Sequence, residues 1–298
     1  MSESKTDAGS GVTWLSQGLQ SFMKNPVPFA VMGLILAVIG MVPILGGLAM
    51  MILGPALYAG MLSGYRAEAA GGKAEIGNLF AAFQQEGKVV KLLPLCLPGI
   101  AAAIVIGIVA GVLLVGAAVT AVGGSAAASQ MNSPEGMMAM LSGVGIFAGL
   151  IALVVFIAVA LFAWSLVFTA IPRVMFDGIE PFAAMKESFG TVKSNLFAFI
   201  GFALVVMVGY AIVAFVLNLL LGWISSFLPA LLMAAGFTPI IVGGIYRAYR
   251  QLFPGSGQGE ALPEPPAAPA PAAPPPAPEA GDAAEGSDKP EGESKPEA

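Results

Sequence analysis

Six long apolar stretches constrain the fold of this chain more than any other feature of its sequence. None has Lys, Arg, Asp or Glu in its interior, and they occupy residues 27–45, 47–65, 92–122, 141–171, 196–221 and 224–245. About 20 apolar residues cross a hydrocarbon core of roughly 30 Å as a helix. With 57% hydrophobic and only 10% charged residues, the sequence predicts an all-α, polytopic membrane bundle of six transmembrane helices. Pro229, Gly236 and Pro239 leave open whether the sixth helix crosses fully or is broken.

The basic residues outside the apolar stretches fall on one predicted side of the membrane. They precede span 1, lie between spans 2 and 3 and between spans 4 and 5, and follow span 6. The positive-inside rule therefore predicts that both termini and both charged connections are cytoplasmic. Aromatic and basic residues at the ends of spans are typical interface anchors; those predicted here are Trp14, Lys24, Tyr65, Arg66, Lys88, Lys91, Arg173, Lys193, Arg247, Tyr249 and Arg250.

The segments on the basic side carry apolar residues at helical spacing. The three stripes are Leu15, Leu19 and Phe22 beside Trp14; Ile76, Leu79, Phe80 and Phe83; and Phe182, Met185, Phe189 and Val192. Such stripes predict short amphipathic helices in the membrane interface, with lipids as partners. The alternative is that the stripes pack on the ends of the transmembrane bundle.

Two short segments of the chain have a similar pattern, PALYAGMLSGYR at 55–66 and PIIVGGIYRAYR at 239–250. Together with the charge pattern, it predicts three helical-hairpin units, 13–66, 73–173 and 180–250, in a membrane domain of residues 13–253. The repeat aligns Asn25 with Asn195 and Phe29 with Phe199. All three units have the same orientation, unlike the inverted repeats of many transporters.

Small residues at GxxxG spacing predict close helix packing. These helix-packing positions are Gly60 and Gly64, Gly107 and Gly111, Gly145 and Gly149, and Gly244, which precedes Ala248 by four residues. Asn218 is the polar side chain placed deepest in a predicted span. It is a candidate polar contact in the membrane, either a hydrogen bond to a neighbouring helix or a substrate contact.

Both ends of the chain differ in character from the membrane domain. Residues 1–12 are predicted to be disordered. Residues 254–298 hold 12 of the 23 prolines, nine acidic residues and two lysines. Such a composition predicts a disordered Pro/Ala-rich acidic tail, acting as a spacer or as the docking segment for a protein partner.

The landmarks of the membrane domain resemble those of a known protein family. The stretches KNPVPFAVMGLIL, VPILGGLAMMILGPALYAGM, IGNLFAAF and FTAIPRVMFDGIEPFAAMKESFGTVKSNLFAF are similar to a family of uncharacterised six-helix bacterial inner-membrane proteins. More distantly, they resemble the membrane domain attached to some glycerophosphodiester phosphodiesterases. The resemblance implies a six-helix fold and a multi-pass location in the bacterial inner (cytoplasmic) membrane, and it carries over no catalytic residue.

No motif in the sequence supplies a reaction. The chain has no histidine and no constellation of nucleophile, base and orienting group, so we expect neither an enzyme nor a cofactor. The basic residues are too dispersed for a nucleic-acid partner. The connection between spans 3 and 4 contains a methionine cluster, formed by Met131, Met137, Met138 and Met140. The alternatives for it are ordinary hydrophobic packing and a Cu(I) site, since thioethers bind Cu(I). No metal is predicted there.

Two function classes remain open on the sequence. The first is a non-enzymatic integral inner-membrane protein that organises, senses or tethers at the inner leaflet; the charge-free spans and the amphipathic segments favour it. The second is a permease or channel for an uncharged or lipid-like substrate, for which the proline-interrupted sixth span is the hint. A polar path between the spans would distinguish the second class from the first.

Overall fold

The computed structural model describes residues 6–7, 9–123, 144–225 and 227–256, without the side-chain surroundings of 114–123 and 144–148. Every secondary-structure element in these ranges is helical, in agreement with the predicted all-α class. The elements are α1 (Ser10–Lys24), α2 (Pro26–Met41), α3 (Leu45–Ala69), a 3₁₀ turn (Ile76–Phe80), α4 (Ala81–Gln84), α5 (Lys88–Leu92), a second 3₁₀ turn (Leu93–Cys96), α6 (Leu97–Gly123), α7 (Val144–Val167), α8 (Ala170–Asp177), α9 (Pro181–Ser194), α10 (Leu196–Leu221) and α11 (Phe227–Leu252). The predicted methionine cluster lies outside the described residues, as does the predicted tail beyond Ser256.

Five described segments are long and apolar enough to cross a membrane: Leu45–Ala69, Lys88–Leu113, Gly149–Asp177, Leu196–Leu221 and Phe227–Leu252. The sixth predicted span corresponds to one continuous helix, α11, with Pro239 inside it. The first predicted span is less simple. Helix α2 has 16 residues, about 24 Å, and meets the criteria only together with α1, from which it bends by 107°. The count is therefore five spans, or six if the bent pair is one span.

The same kind of helix junction occurs in two of the three predicted units. Asn25 separates α1 from α2, and Asn195 separates α9 from α10. Both asparagines leave the helical region, with φ and ψ of −136° and 65° at Asn25 and −123° and 37° at Asn195. A short helix thus leads into a long apolar helix at both asparagines that the repeat aligns.

The packed core lies where the ends of α1, α3, α8 and α11 meet. In the most apolar stretch of α3, 50% of the residues are buried, whereas the corresponding share in α10 is 6%. The core is rich in aromatic rings, such as Phe29, which stacks on Tyr65 with ring centroids 4.0 Å apart. The outward faces of α6, α7 and α10 carry exposed Ile, Val, Leu and Phe side chains, as expected for helices that contact lipid.

The glycines predicted to pack differ in their surroundings within the described part of the chain. A Cβ on Gly60 would overlap the carbonyl oxygen of Leu79, and one on Gly64 would lie 3.2 Å from Cε1 of Phe29. Gly244 meets Phe202 in the same way, at 2.8 Å. By contrast, no atom of the described residues lies within 4 Å of a Cβ built on any of three predicted packing glycines, Gly107, Gly111 and Gly149. The surroundings of Gly145 lie outside the description.

Helix α1 has three faces. Its buried side is made of Gly11, Trp14, Gly18 and Ser21, and at about 100° per residue these positions form one face. A Cβ on Gly18 would lie 2.5 Å from the carbonyl oxygen of Ile240, so α1 presses directly on α11. A second face exposes Val12, Leu19 and Met23. A third carries polar residues such as Gln17, Gln20 and Lys24.

Candidate functional site

A polar cavity of about 560 Å³ opens where α1, α3 and α11 end. Lys24, Arg247 and Arg250 contribute three basic side chains to its wall, and Glu68 contributes one carboxylate. Gln17, Tyr246 and Gln251 add polar groups. The lining is therefore hydrophilic and carries an excess of positive charge.

Close backbone packing brings the three helices to this cavity. Gly18 of α1 lies against α11, and Gly243 of α11 leaves room for the ring of Tyr65 from α3, whose Cζ lies 2.9 Å from a Cβ built on that glycine. The Tyr65 hydroxyl donates a hydrogen bond of 2.7 Å to the carbonyl oxygen of Pro239. Trp14 Nε1 donates to Gln251 Oε1 at 2.6 Å. These contacts hold the cavity wall in place.

Several polar atoms at the cavity have no hydrogen-bond partner in the part of the chain that the structure describes. Both carboxylate oxygens of Glu68, the hydroxyl of Tyr246 and Nε of Arg247 are buried without a hydrogen bond among the described residues. Tyr246 itself is only 2% exposed. Arg247 uses another nitrogen to donate to Ser21 Oγ. Buried polar groups are almost always paired, so this cavity has hydrogen-bonding capacity for a group outside the described residues.

A second polar cluster lies near the cavity on α8, α9 and α11, around the 5%-exposed Arg173. Its guanidinium donates to Asp177 Oδ2 at 2.7 Å and to Glu187 Oε2 at 2.7 Å, and it lies over the Phe253 ring with 4.5 Å between Cζ and the centroid. The Tyr249 hydroxyl donates to the Asp177 carboxylate at about 3.0 Å. Because every charge is paired here, this cluster has a structural role.

Ser188 closes the break between α7 and α8. Its hydroxyl donates to the carbonyl oxygen of Ser165 at 2.8 Å and accepts from the backbone N–H of Thr169 at 3.1 Å. The bonds satisfy backbone groups that the interrupted helix leaves unpaired. The predicted fourth span, 141–171, therefore ends in an interrupted helical segment that α9 supports.

The predicted interface anchors divide into three groups. Trp14, Tyr65, Tyr249 and Arg173 are at most 5% exposed and contact protein on all sides. An anchor must present its side chain to the interface, so the anchor assignment needs correcting for these four. Lys24, Arg247 and Arg250 line the cavity.

The remaining predicted anchors lie along the same end of the chain's fold. Lys91 and Lys193 are exposed. Lys91 pairs with Glu180 at 2.8 Å, while Lys88 donates to the carbonyl oxygen of Met175 at 2.9 Å. Arg66 lies over the Phe176 ring at 5.0 Å. Basic residues that are far apart in sequence are thus gathered around one end of the bundle.

The amphipathic stripes are split between packing and exposure. Leu79, Met185 and Val192 are buried, while residues from all three stripes are exposed: Leu19, Ile76, Phe80, Phe83, Phe182 and Phe189. The stripe 76–83 forms a 3₁₀ turn and α4 rather than one helix. Each segment therefore packs on the bundle and still presents apolar side chains outward.

The hydrogen bond predicted between Asn218 and a neighbouring helix is absent among the described residues, and the alternative, a substrate contact, stays a prediction. The side chain is exposed, and its Nδ2 donates to the carbonyl oxygen of Ala214 in the same helix at 2.8 Å. This bond satisfies the amide within α10. The described structure gives Asn218 no contact with a neighbouring helix.

An apolar groove of about 290 Å³ lies between α3, α7, α8 and α11. Leu62, Trp164, Ile171 and Ile241 are among its walls, and Tyr58 and Thr238 add its polar atoms. A groove of this lining fits a hydrocarbon chain better than a hydrated solute.

Sequence reasoning missed Glu68, Tyr246 and Gln251 at the cavity, and Asp177 and Glu187 at the Arg173 cluster. A signal for two of them was available. Glu68 and Asp177 each lie a few residues from a basic residue at the end of a long apolar helix, and acidic residues at such ends require a partner or a ligand.

A scan against protein-family models and searches of curated proteins and of solved structures each gave no match.

Proposed function

We propose that this chain is a non-enzymatic integral membrane protein that organises or senses one leaflet of the membrane, the cytoplasmic leaflet of a bacterial inner membrane. One observation carries the proposal: α1 packs one face on α11, exposes a second, apolar face, and turns by 107° into α2. A helix with these faces lies in the plane of the interface.

The other segments at the same end of the fold support this function. Exposed Phe80 and Phe83 on one segment and Phe182 and Phe189 on another add apolar surface beside Lys88, Lys91, Lys186 and Lys193. Apolar side chains next to lysines favour anionic lipid surfaces, at about 1 kcal/mol per basic residue. The predicted six-span topology has both termini and all of these segments at the inner leaflet. With α1 in the interface, α2 alone forms the first span of that topology. The predicted tail is the segment that would tether a protein partner.

The second candidate, a permease or channel for a lipid-like substrate, draws on the groove between α3, α7, α8 and α11. Its walls are mostly apolar, so the groove offers little polar lining for a hydrated path. This supports leaflet recognition over conduction. Transport of a fluorescent lipid between leaflets of vesicles that contain the purified protein would favour the permease instead.

Spin labels on α1 test the proposed function. In a Cys96→Ser background, one label replaces Leu19 on the apolar face and a second replaces the neighbouring Gln20 on the polar face, in protein reconstituted into lipid bilayers. We expect the label at residue 19 to collide more with oxygen than with a water-soluble nickel chelate, and the label at residue 20 to show the reverse.

A label at exposed Ile212 of α10 is the reference for contact with lipid. If the labels at residues 19 and 20 were equally accessible to the nickel chelate, α1 would lie in water and the proposal would fail.

A further inference from the structure

The polar cavity at the ends of α1, α3 and α11 combines two features that call for a ligand with both charges. Three cationic side chains, Lys24, Arg247 and Arg250, outnumber the single carboxylate of Glu68. The single carboxylate balances one of these positive charges, so the lining keeps an excess of positive charge. The surplus positive charge matches an anion, and Arg and Lys are the usual partners of phosphate.

Glu68 requires a hydrogen-bond donor from the ligand, whereas the basic residues require an anion. Both of its oxygens are buried and unpaired among the described residues, and a carboxylate in this state accepts hydrogen bonds only. A phosphate alone would be repelled by it. A ligand that carries an N–H donor next to its phosphate would satisfy both ends of the cavity, with the Tyr246 hydroxyl and Arg247 Nε as further unpaired groups.

We propose that this cavity binds a phosphoethanolamine group, with the phosphate among Lys24, Arg247 and Arg250 and the ammonium on Glu68. The volume, about 560 Å³, is within the range of small-ligand sites, about 300–1,000 Å³. The inference rests on the proposed function only in assigning the group to a lipid of the leaflet that α1 contacts. The same chemistry occurs in a soluble phosphoethanolamine ester.

Native mass spectrometry of the full chain tests the site, with equal amounts of phosphatidylethanolamine, phosphatidylglycerol and phosphatidylcholine added to the detergent-solubilised protein. The choline group has no N–H donor, so phosphatidylcholine shows whether binding depends on a hydrogen bond from the ammonium to Glu68. We expect phosphatidylethanolamine to be retained about tenfold over phosphatidylcholine, the ratio that one charge-assisted hydrogen bond provides.

Glu68→Gln should abolish this preference, because the amide cannot pair with the ammonium as a charge. The double change Lys24→Gln with Arg247→Gln should lower retention of all three lipids. Lys73→Gln, which removes an exposed lysine outside the cavity, is the matched control and should leave the preference for phosphatidylethanolamine unchanged. Thermal melting of each variant verifies that the fold is kept; for a variant that melts early, lipid retention is compared at a temperature well below its transition.

A separate arm adds soluble glycerophosphoethanolamine as competitor. Displacement of the lipid shows that the cavity reads the headgroup alone, and lack of displacement shows that it requires the membrane-bound lipid; either result supports the site if Glu68→Gln removes the preference. Equal retention of all three lipids by the unaltered protein, or a preference that Glu68→Gln leaves intact, would overturn the proposal. The spin-label result on α1 is independent of this outcome, so the two failures can be told apart.

Discussion

Replacing Gly60 with alanine is expected to lower the free energy of unfolding by about 2–3 kcal/mol, a typical cost of overpacking. A Cβ at this position would overlap the backbone carbonyl of Leu79 in the 3₁₀ turn. Backbone cannot turn aside as a flexible side chain can, so α3 and the turn must separate. SDS-induced unfolding in micelles, followed by tryptophan fluorescence, measures the change.

Gly107→Ala is the matched control, because sequence reasoning gives Gly60 and Gly107 the same packing role. Nothing lies within 4 Å of a Cβ at residue 107, and alanine favours helix over glycine by up to about 1 kcal/mol. We expect this variant to be as stable as the unaltered protein or more stable. Equal destabilisation by the two changes would contradict the packing described for α3 and α6.

Removing the guanidinium of Arg173 is expected to have the largest effect of any single charge change, about 3 kcal/mol of lost stability for Arg173→Gln. The change removes the guanidinium that pairs with the carboxylate of Asp177, whose side chain is 12% exposed. The Glu187 carboxylate is 41% exposed, and water can compensate it in part, which keeps the estimate at the lower end for a broken buried pair.

Two variants calibrate this expectation. Lys91→Gln breaks an ion pair whose side chains are 45% and 71% exposed, and such pairs contribute less than about 1 kcal/mol. Arg173→Lys keeps the charge but loses the geometry that binds two carboxylates at once, so its stability should fall between those of the other two variants. If Arg173→Gln melted no earlier than Lys91→Gln, the cluster would not stabilise the junction of α8, α9 and α11.

The helical class and most of the long helices could be predicted because membrane crossing depends on local composition. The uninterrupted apolar stretches become α3, α6, α7, α10 and α11 to within several residues, apart from the unpredicted break after Val167. Pro239 did not break α11, since Tyr65 and the tight α1 contact hold that region. The bend at Asn25 was not predicted, because it depends on the packing of α1 against α11, which the sequence does not show.

Packing partners were the part that the sequence could not supply. Gly60 and Gly107 occupy the same kind of motif, but only the first meets another segment. Three aromatic residues are of the types typical of interface anchors: Trp14, Tyr65 and Tyr249. They are buried because three helix ends meet around them. The candidate cavity was not foreseen for the same reason: Lys24, Glu68 and Arg247 are brought together only by the tertiary fold.

In the proposed topology, the cavity and the exposed apolar segments face the cytoplasm. Labelling with a membrane-impermeant maleimide tests it most directly, in a Cys96→Ser background with one new cysteine at a time. The first position is Lys193, at the basic end of α9. The second is Val42, in the turn between α2 and α3; both residues are exposed.

Expressed in bacteria, the Val42→Cys variant should be labelled from outside once the outer membrane is opened to the reagent, and the Lys193→Cys variant only after the inner membrane is permeabilised. Labelling of Lys193→Cys in cells with an intact inner membrane, with Val42→Cys protected, would contradict the account, because the cavity would then face away from the cytoplasmic leaflet.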